Sequence, residues 1–110
     1  MSERPYCGPD GSKIVDQVAE EVIADPQLRQ RWTEFDGRFL KQCIKEGEHG
    51  LVFNREGFAD FSDHDEELLC LGIKVYNAAN REAVDRRSTR YRVLNLLALI
   101  YHSALRACRQ

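Results

Sequence analysis

Ser88-Thr89-Arg90-Tyr91-Arg92-Val93-Leu94-Asn95-Leu96-Leu97-Ala98-Leu99-Ile100-Tyr101-His102-Ser103-Ala104-Leu105-Arg106-Ala107-Cys108-Arg109 is the stretch that decides how this chain reads. Ser88 or Thr89 carries the short hydroxyl that caps a helix. On a helical wheel Tyr91, Leu94, Ala98, Tyr101, Leu105 and Cys108 form one apolar row. Val93, Leu97, Ile100, Ala104 and Ala107 form the adjacent row. Arg92, Asn95, Leu99, His102, Arg106 and Arg109 fall on a mostly polar row, with Leu96 beside it. A helix apolar over most of its circumference is buried on most sides. This one is expected at the centre of the domain or against a partner.

The same end of the chain is basic. Residues 80–110 hold seven arginines, no lysine and two acids, Glu82 and Asp85; residues 1–79 hold nine basic and sixteen acidic residues. The whole chain has a formal charge of −2, which argues against polyanion binding by the entire surface. A local basic patch remains open. Its 110 residues suit one domain, and 43% hydrophobic with 31% charged residues is ordinary for a folded protein.

Upstream, residues 1–11 read as an irregular arm, punctuated by Pro5, Gly8, Pro9 and Gly11. Residues 12–110 read as a single helical domain. Ser12 is a plausible cap for a first helix, with Ile14, Val15, Val18, Ala19, Val22 and Ile23 at helical spacing. Asp25-Pro26 is the sharpest boundary, because aspartate caps and proline at the first position loses no needed hydrogen bond. Leu28, Trp32, Phe35, Phe39 and Cys43 then make an aromatic stripe, which predicts core packing; Gly47 and Gly50 are expected to end this second helix. Leu51-Val52-Phe53 and Phe58-Ala59-Asp60-Phe61, flanking Asn54-Arg55-Glu56-Gly57, predict a β-hairpin. A third helix follows from Ser62 or Asp63, with Asp63, Asp65, Glu66 and Glu67 matching its dipole. The expected fold is therefore mainly α: four helices, with a short β-hairpin between the second and third.

No apolar leader opens the chain and no apolar run reaches the roughly 20 residues of a membrane span. A cytoplasmic protein without membrane contact is the expectation. Cys7, Cys43, Cys70 and Cys108 are spread without close pairs, so free thiols are expected rather than a metal framework. No metal or cofactor site is expected.

Three constellations bear on function. Asp60, Asp63, His64, Asp65, Glu66 and Glu67 crowd one helix start. The adjacent His64-Asp65 pair resembles the pair of HD-type metal phosphohydrolases over two residues. That family carries further histidine and aspartate ligands on other helices, so the cluster reads as a solvated, dipole-matched helix start. The second constellation is Arg92, Asn95, His102 and Arg106, where a histidine beside an arginine is the chemistry of a metal-independent nuclease. Arg92 and His102 are too far apart for the R-x(4–6)-H motif of HEPN ribonucleases. The third is Arg81, Arg86, Arg87, Arg90 and Arg92 with Tyr91. These arginines could grip phosphate, meet a protein partner, or pair with the acids of residues 60–67.

The leading expectation is a non-enzymatic protein-interaction module: an inhibitor, immunity-type or adaptor protein, or a small subunit of a larger complex. It would bind a protein partner, or a second copy of itself, through Leu96 and Leu99 with Arg86, Arg87, Arg90, Arg92, His102 and Arg106 around them. No catalytic residue is assigned. The alternatives are a nucleic-acid-binding helical domain using Arg81–Arg92, and a small nuclease using His102 with Arg92 or Arg106.

Overall fold

Aspartate and proline set the first junction as the sequence predicts. In a computed structural model, which describes residues 6–61, 65–82 and 87–109, Asp25 caps the second helix by accepting the Gln27 N–H at 3.0 Å, with Pro26 in the first turn. The order of elements is α1 (Gly8–Val22), α2 (Pro26–Gln42), β1 (Ile44–Gly47), β2 (Gly50–Phe53), α3 (Arg55–Phe58), α4 (Glu66–Glu82) and α5 (Thr89–Cys108). The domain is mainly α with one short hairpin, in agreement with the expected class.

α1 begins at Gly8, ahead of the expected Ser12 cap. Proline is harmless in a first turn, where its missing N–H has no partner to lose, so Pro9 starts this helix rather than preventing it. Gly8 enters at φ +68°, a conformation open to glycine. The expected arm of residues 1–11 is thus helical from Gly8 onward.

The hairpin lies one strand upstream of its expected position. Ile44 pairs with Phe53, Lys45 with Val52, Glu46 with Leu51 and Gly47 with Gly50, in an antiparallel register. Gly47 and Gly50 therefore bracket a tight turn rather than ending a helix, and Gly50 takes φ +123°. α2 has already stopped at Gln42, with Cys43 as its C-cap. Asn54-Arg55-Glu56-Gly57, expected as the hairpin loop, instead enters the one-turn helix α3. Asn54 ties that turn to the end of α2: its N–H donates to the Cys43 carbonyl at 2.7 Å and its amide Nδ2 to the Gln42 carbonyl at 3.3 Å. Gly57 makes the approach possible, since a Cβ there would lie 1.8 Å from the Gln42 carbonyl oxygen. Phe58-Ala59-Asp60-Phe61 is consequently not a strand. Phe61 turns inward and is buried against Phe35, with ring centroids 5.4 Å apart and edge-on.

The core joins Val15, Val18 and Ile23 of the first helical layer to Trp32, Phe35, Phe39 and Leu40 of α2 and to Leu69, Val75 and Tyr76 of α4. α5 adds Leu94, Leu97, Ala98, Tyr101 and Ala104. α4 is the central element: it packs against α1, α2 and α5, whereas α5 meets α4, α1 and β2. Gly72 lets α4 and α5 come close, because a Cβ there would sit 2.1 Å from a carbon of the Tyr101 ring. Both apolar rows of α5 are covered by the chain itself, apart from half-buried positions such as Tyr91 and Val93. A second copy is not required to bury them.

Candidate interaction surface on the last helix

Ser88 caps α5 by accepting the Tyr91 N–H on its Oγ at 3.2 Å. With that start fixed, helical geometry sends Arg92, Asn95, Leu99, His102 and Arg106 to the outside, and all five are exposed. Leu96, beside them, is half-buried. Leu99 is 54% exposed; among the described residues only Val52, at 39%, joins it as an exposed large hydrophobic side chain.

Among the described residues, the expected binding residues differ in their surroundings. Arg86 lies outside the described residues. Arg87 is exposed and engaged in an interaction of its own. Arg90 reaches across to α1 and pairs with Asp10 at 2.9 Å. Arg92, Leu96, Leu99, His102 and Arg106 make up the outer stripe. Internal pairing of the arginines is therefore real for Arg90, but its partner is Asp10 rather than an acid of residues 60–67. The acids there do engage one arginine: Glu66, at the start of α4, meets Arg109 at the end of α5, Oε1 to Nε at 2.5 Å. That contact raises the Arg109 pKa further through a hydrogen bond and charge attraction.

Arg92 and His102 are separated by about 15 Å of helix axis, too far to flank one phosphate. Arg106 is one turn from His102, but its guanidinium donates to Ser103 Oγ at 3.5 Å. Asp63 and His64 lie outside the described residues. Among those described, no three His, Cys, Asp or Glu side chains gather as a metal site would require.

A shallow groove of about 250 Å³ runs beside the stripe, lined by Phe53, Arg55, Ser103, Arg106 and Ala107. Arg106 belongs to α5, and Arg55 opens α3, two residues after Phe53 of β2, the strand that packs on α5. Arg55, Phe53 and Ser103 carried no signal in the sequence, because Arg55 sat in an expected loop.

Inside, Asp36 is 1% exposed and accepts from two tyrosines. Tyr76 Oη lies 2.8 and 3.1 Å from its two carboxylate oxygens, and Tyr101 Oη lies 2.5 Å from Oδ1. Sequence reasoning passed over this trio. The available signal was an acid four residues beyond Trp32 on the aromatic face of α2, where solvent should not reach.

Two of the four cysteines, Cys7 and Cys43, are buried. Cys7 lies at the head of α1. Burial pushes the Cys43 thiol up to about 12, against a smaller lowering by Arg38, so it remains a thiol at neutral pH.

Comparison with protein-family models, curated proteins and solved structures finds no match to the chain.

Proposed function

We propose that this chain is a non-enzymatic protein-interaction module whose contact surface is the outer stripe of α5. One observation carries the reading. Leu99 stands 54% exposed in a helix where Leu94 and Leu97 are fully buried and Leu96 is half-buried. An exposed leucine is common on any surface. This one sits among Arg92, His102 and Arg106, the pattern of an apolar contact inside a charged rim. An inhibitor, an adaptor or a small subunit of a larger complex would use such a surface.

A different protein suits the stripe better than a second copy, because the apolar rows of α5 already meet the chain's own core and one leucine is a thin basis for self-association. The nucleic-acid alternative is weakened by the loss of Arg90 to Asp10. The nuclease alternative is weakened by the separation of Arg92 from His102.

The test is affinity capture from source lysate with nuclease present, comparing the wild-type chain with Leu99→Asp. The expected outcome is a stoichiometric protein partner that the variant loses while its helical circular dichroism persists. Equal capture by the folded variant would sink the proposal.

A further inference from the structure

Arg55 and Arg106 line the same groove from different elements, together with Phe53, Ser103 and Ala107. No carboxylate among the described residues contributes to that lining. Among the described residues, neither guanidinium has an acid within ion-pair distance, in contrast to Arg90 and Arg109. Two like charges beside one groove repel, and an anion between them relieves the repulsion. Arg106 is partly held in place by its hydrogen bond to Ser103 Oγ. Ser103 Oγ itself donates to the Leu99 carbonyl at 3.2 Å, one turn back along the same exposed side of α5. Cationic groove and exposed leucine are therefore neighbours.

We propose that this groove binds acidic side chains of a peptide segment that also presents an apolar residue to Leu99. The inference rests on the interaction-module reading and specifies its partner: an amphipathic, glutamate- or aspartate-bearing segment. Arg55 and Arg106 clamp carboxylates by charge-assisted hydrogen bonds, and Phe53 packs against the methylene stem. A volume of about 250 Å³ corresponds to roughly eight water-sized units, enough for one or two acidic side chains. A nucleic acid would meet only two guanidiniums here, on a chain whose formal charge is −2.

Fluorescence anisotropy of the full chain with a labelled peptide carrying leucine and glutamate at helical spacing tests this. Saturable binding is expected, and it disappears when glutamine replaces each glutamate of the peptide. Arg55→Gln and Arg106→Gln each weaken binding by about tenfold. Arg90→Gln leaves it unchanged, because Arg90 belongs to the Asp10 pair. All three positions are half-buried or exposed, and circular dichroism verifies that the variants fold. Equal affinity for the glutamine peptide overturns the proposal. So does indifference to both Arg55→Gln and Arg106→Gln, or tighter binding of a single-stranded DNA probe. The two readings fail separately in lysate capture. A partner lost by Leu99→Asp but kept by the Arg55→Gln/Arg106→Gln double variant retains the module and removes the acidic segment. A partner kept by Leu99→Asp removes the module itself.

Discussion

On the inner face of α5, Tyr101 is fully buried and donates its hydroxyl to Asp36; one position later, His102 stands in solvent between Leu99 and Arg106. Both faces mix polar and apolar groups, but to different ends. Inside, every polar atom needs a partner with good geometry, so Asp36, Tyr76 and Tyr101 constrain how α2, α4 and α5 come together. Outside, Arg92, His102 and Arg106 are exposed to solvent, and Arg106 bonds only locally, to Ser103 on its own helix, so none of the three ties one element to another. The polar groups that hold the fold together are thus found among the apolar rows, and the groups free to meet another molecule lie on the row that the core does not use.

The sharpest way to break this contrast is Asp36→Ala. It leaves two buried phenol hydroxyls without their carboxylate, and we expect a loss of roughly 3–4 kcal/mol in urea unfolding. Asp36→Asn, which keeps an acceptor, should lose less. A small effect of Asp36→Ala would mean that the trio contributes little to the fold.

Gly57→Ala comes next. Its Cβ would collide with the Gln42 carbonyl, a backbone atom that cannot swing aside. We expect about 2 kcal/mol of destabilisation and displacement of Arg55 from its groove. A full-stability variant would show that α3 does not need its close seat on α2.

Cys43 tests the inner face by titration. Its thiol is raised from 9.0 to about 12 in the folded chain. Below pH about 9 both states keep the proton, so the contribution is fully present. Between about 9 and 12 the unfolded thiol ionises first, and stability falls as pH rises. Cys43→Ala should flatten that part of the stability–pH curve, and native alkylation at neutral pH should spare Cys43. Rapid native labelling of Cys43 would contradict its burial.

The smallest effect belongs to the outer face. Leu99→Asp should change stability by no more than about 0.5 kcal/mol, because the side chain already stands in water. A larger loss by urea unfolding would place Leu99 in the fold rather than on a contact surface.

Periodicity made much of this legible. The apolar rows of α5 and its outer stripe follow from helical spacing, as does the aromatic face of α2, and the Asp25 cap follows from local hydrogen bonding. The hairpin was misplaced because Val52-Phe53 shows strand character without showing which neighbour pairs with it. Gly47 and Gly50 fit a helix end and a tight turn equally well on local grounds. Asn54 to Gly57 looks like a loop until the Gln42 carbonyl is seen above Gly57. The pairing of Arg90 with Asp10 was not legible, because an arginine's partner depends on which helix faces it.

Sequence alone therefore determined where helices can form and which of their faces avoid water, since both depend on neighbours within a few turns. Tertiary structure alone decided that Asp36 would meet Tyr76 and Tyr101, that Arg90 would turn to Asp10, and that Arg55 and Arg106 would share a groove. Each of these joins residues far apart in the chain. Their distance is set by how helices pack on α4 and by the close seats at Gly57 and Gly72, and no local pattern encodes it.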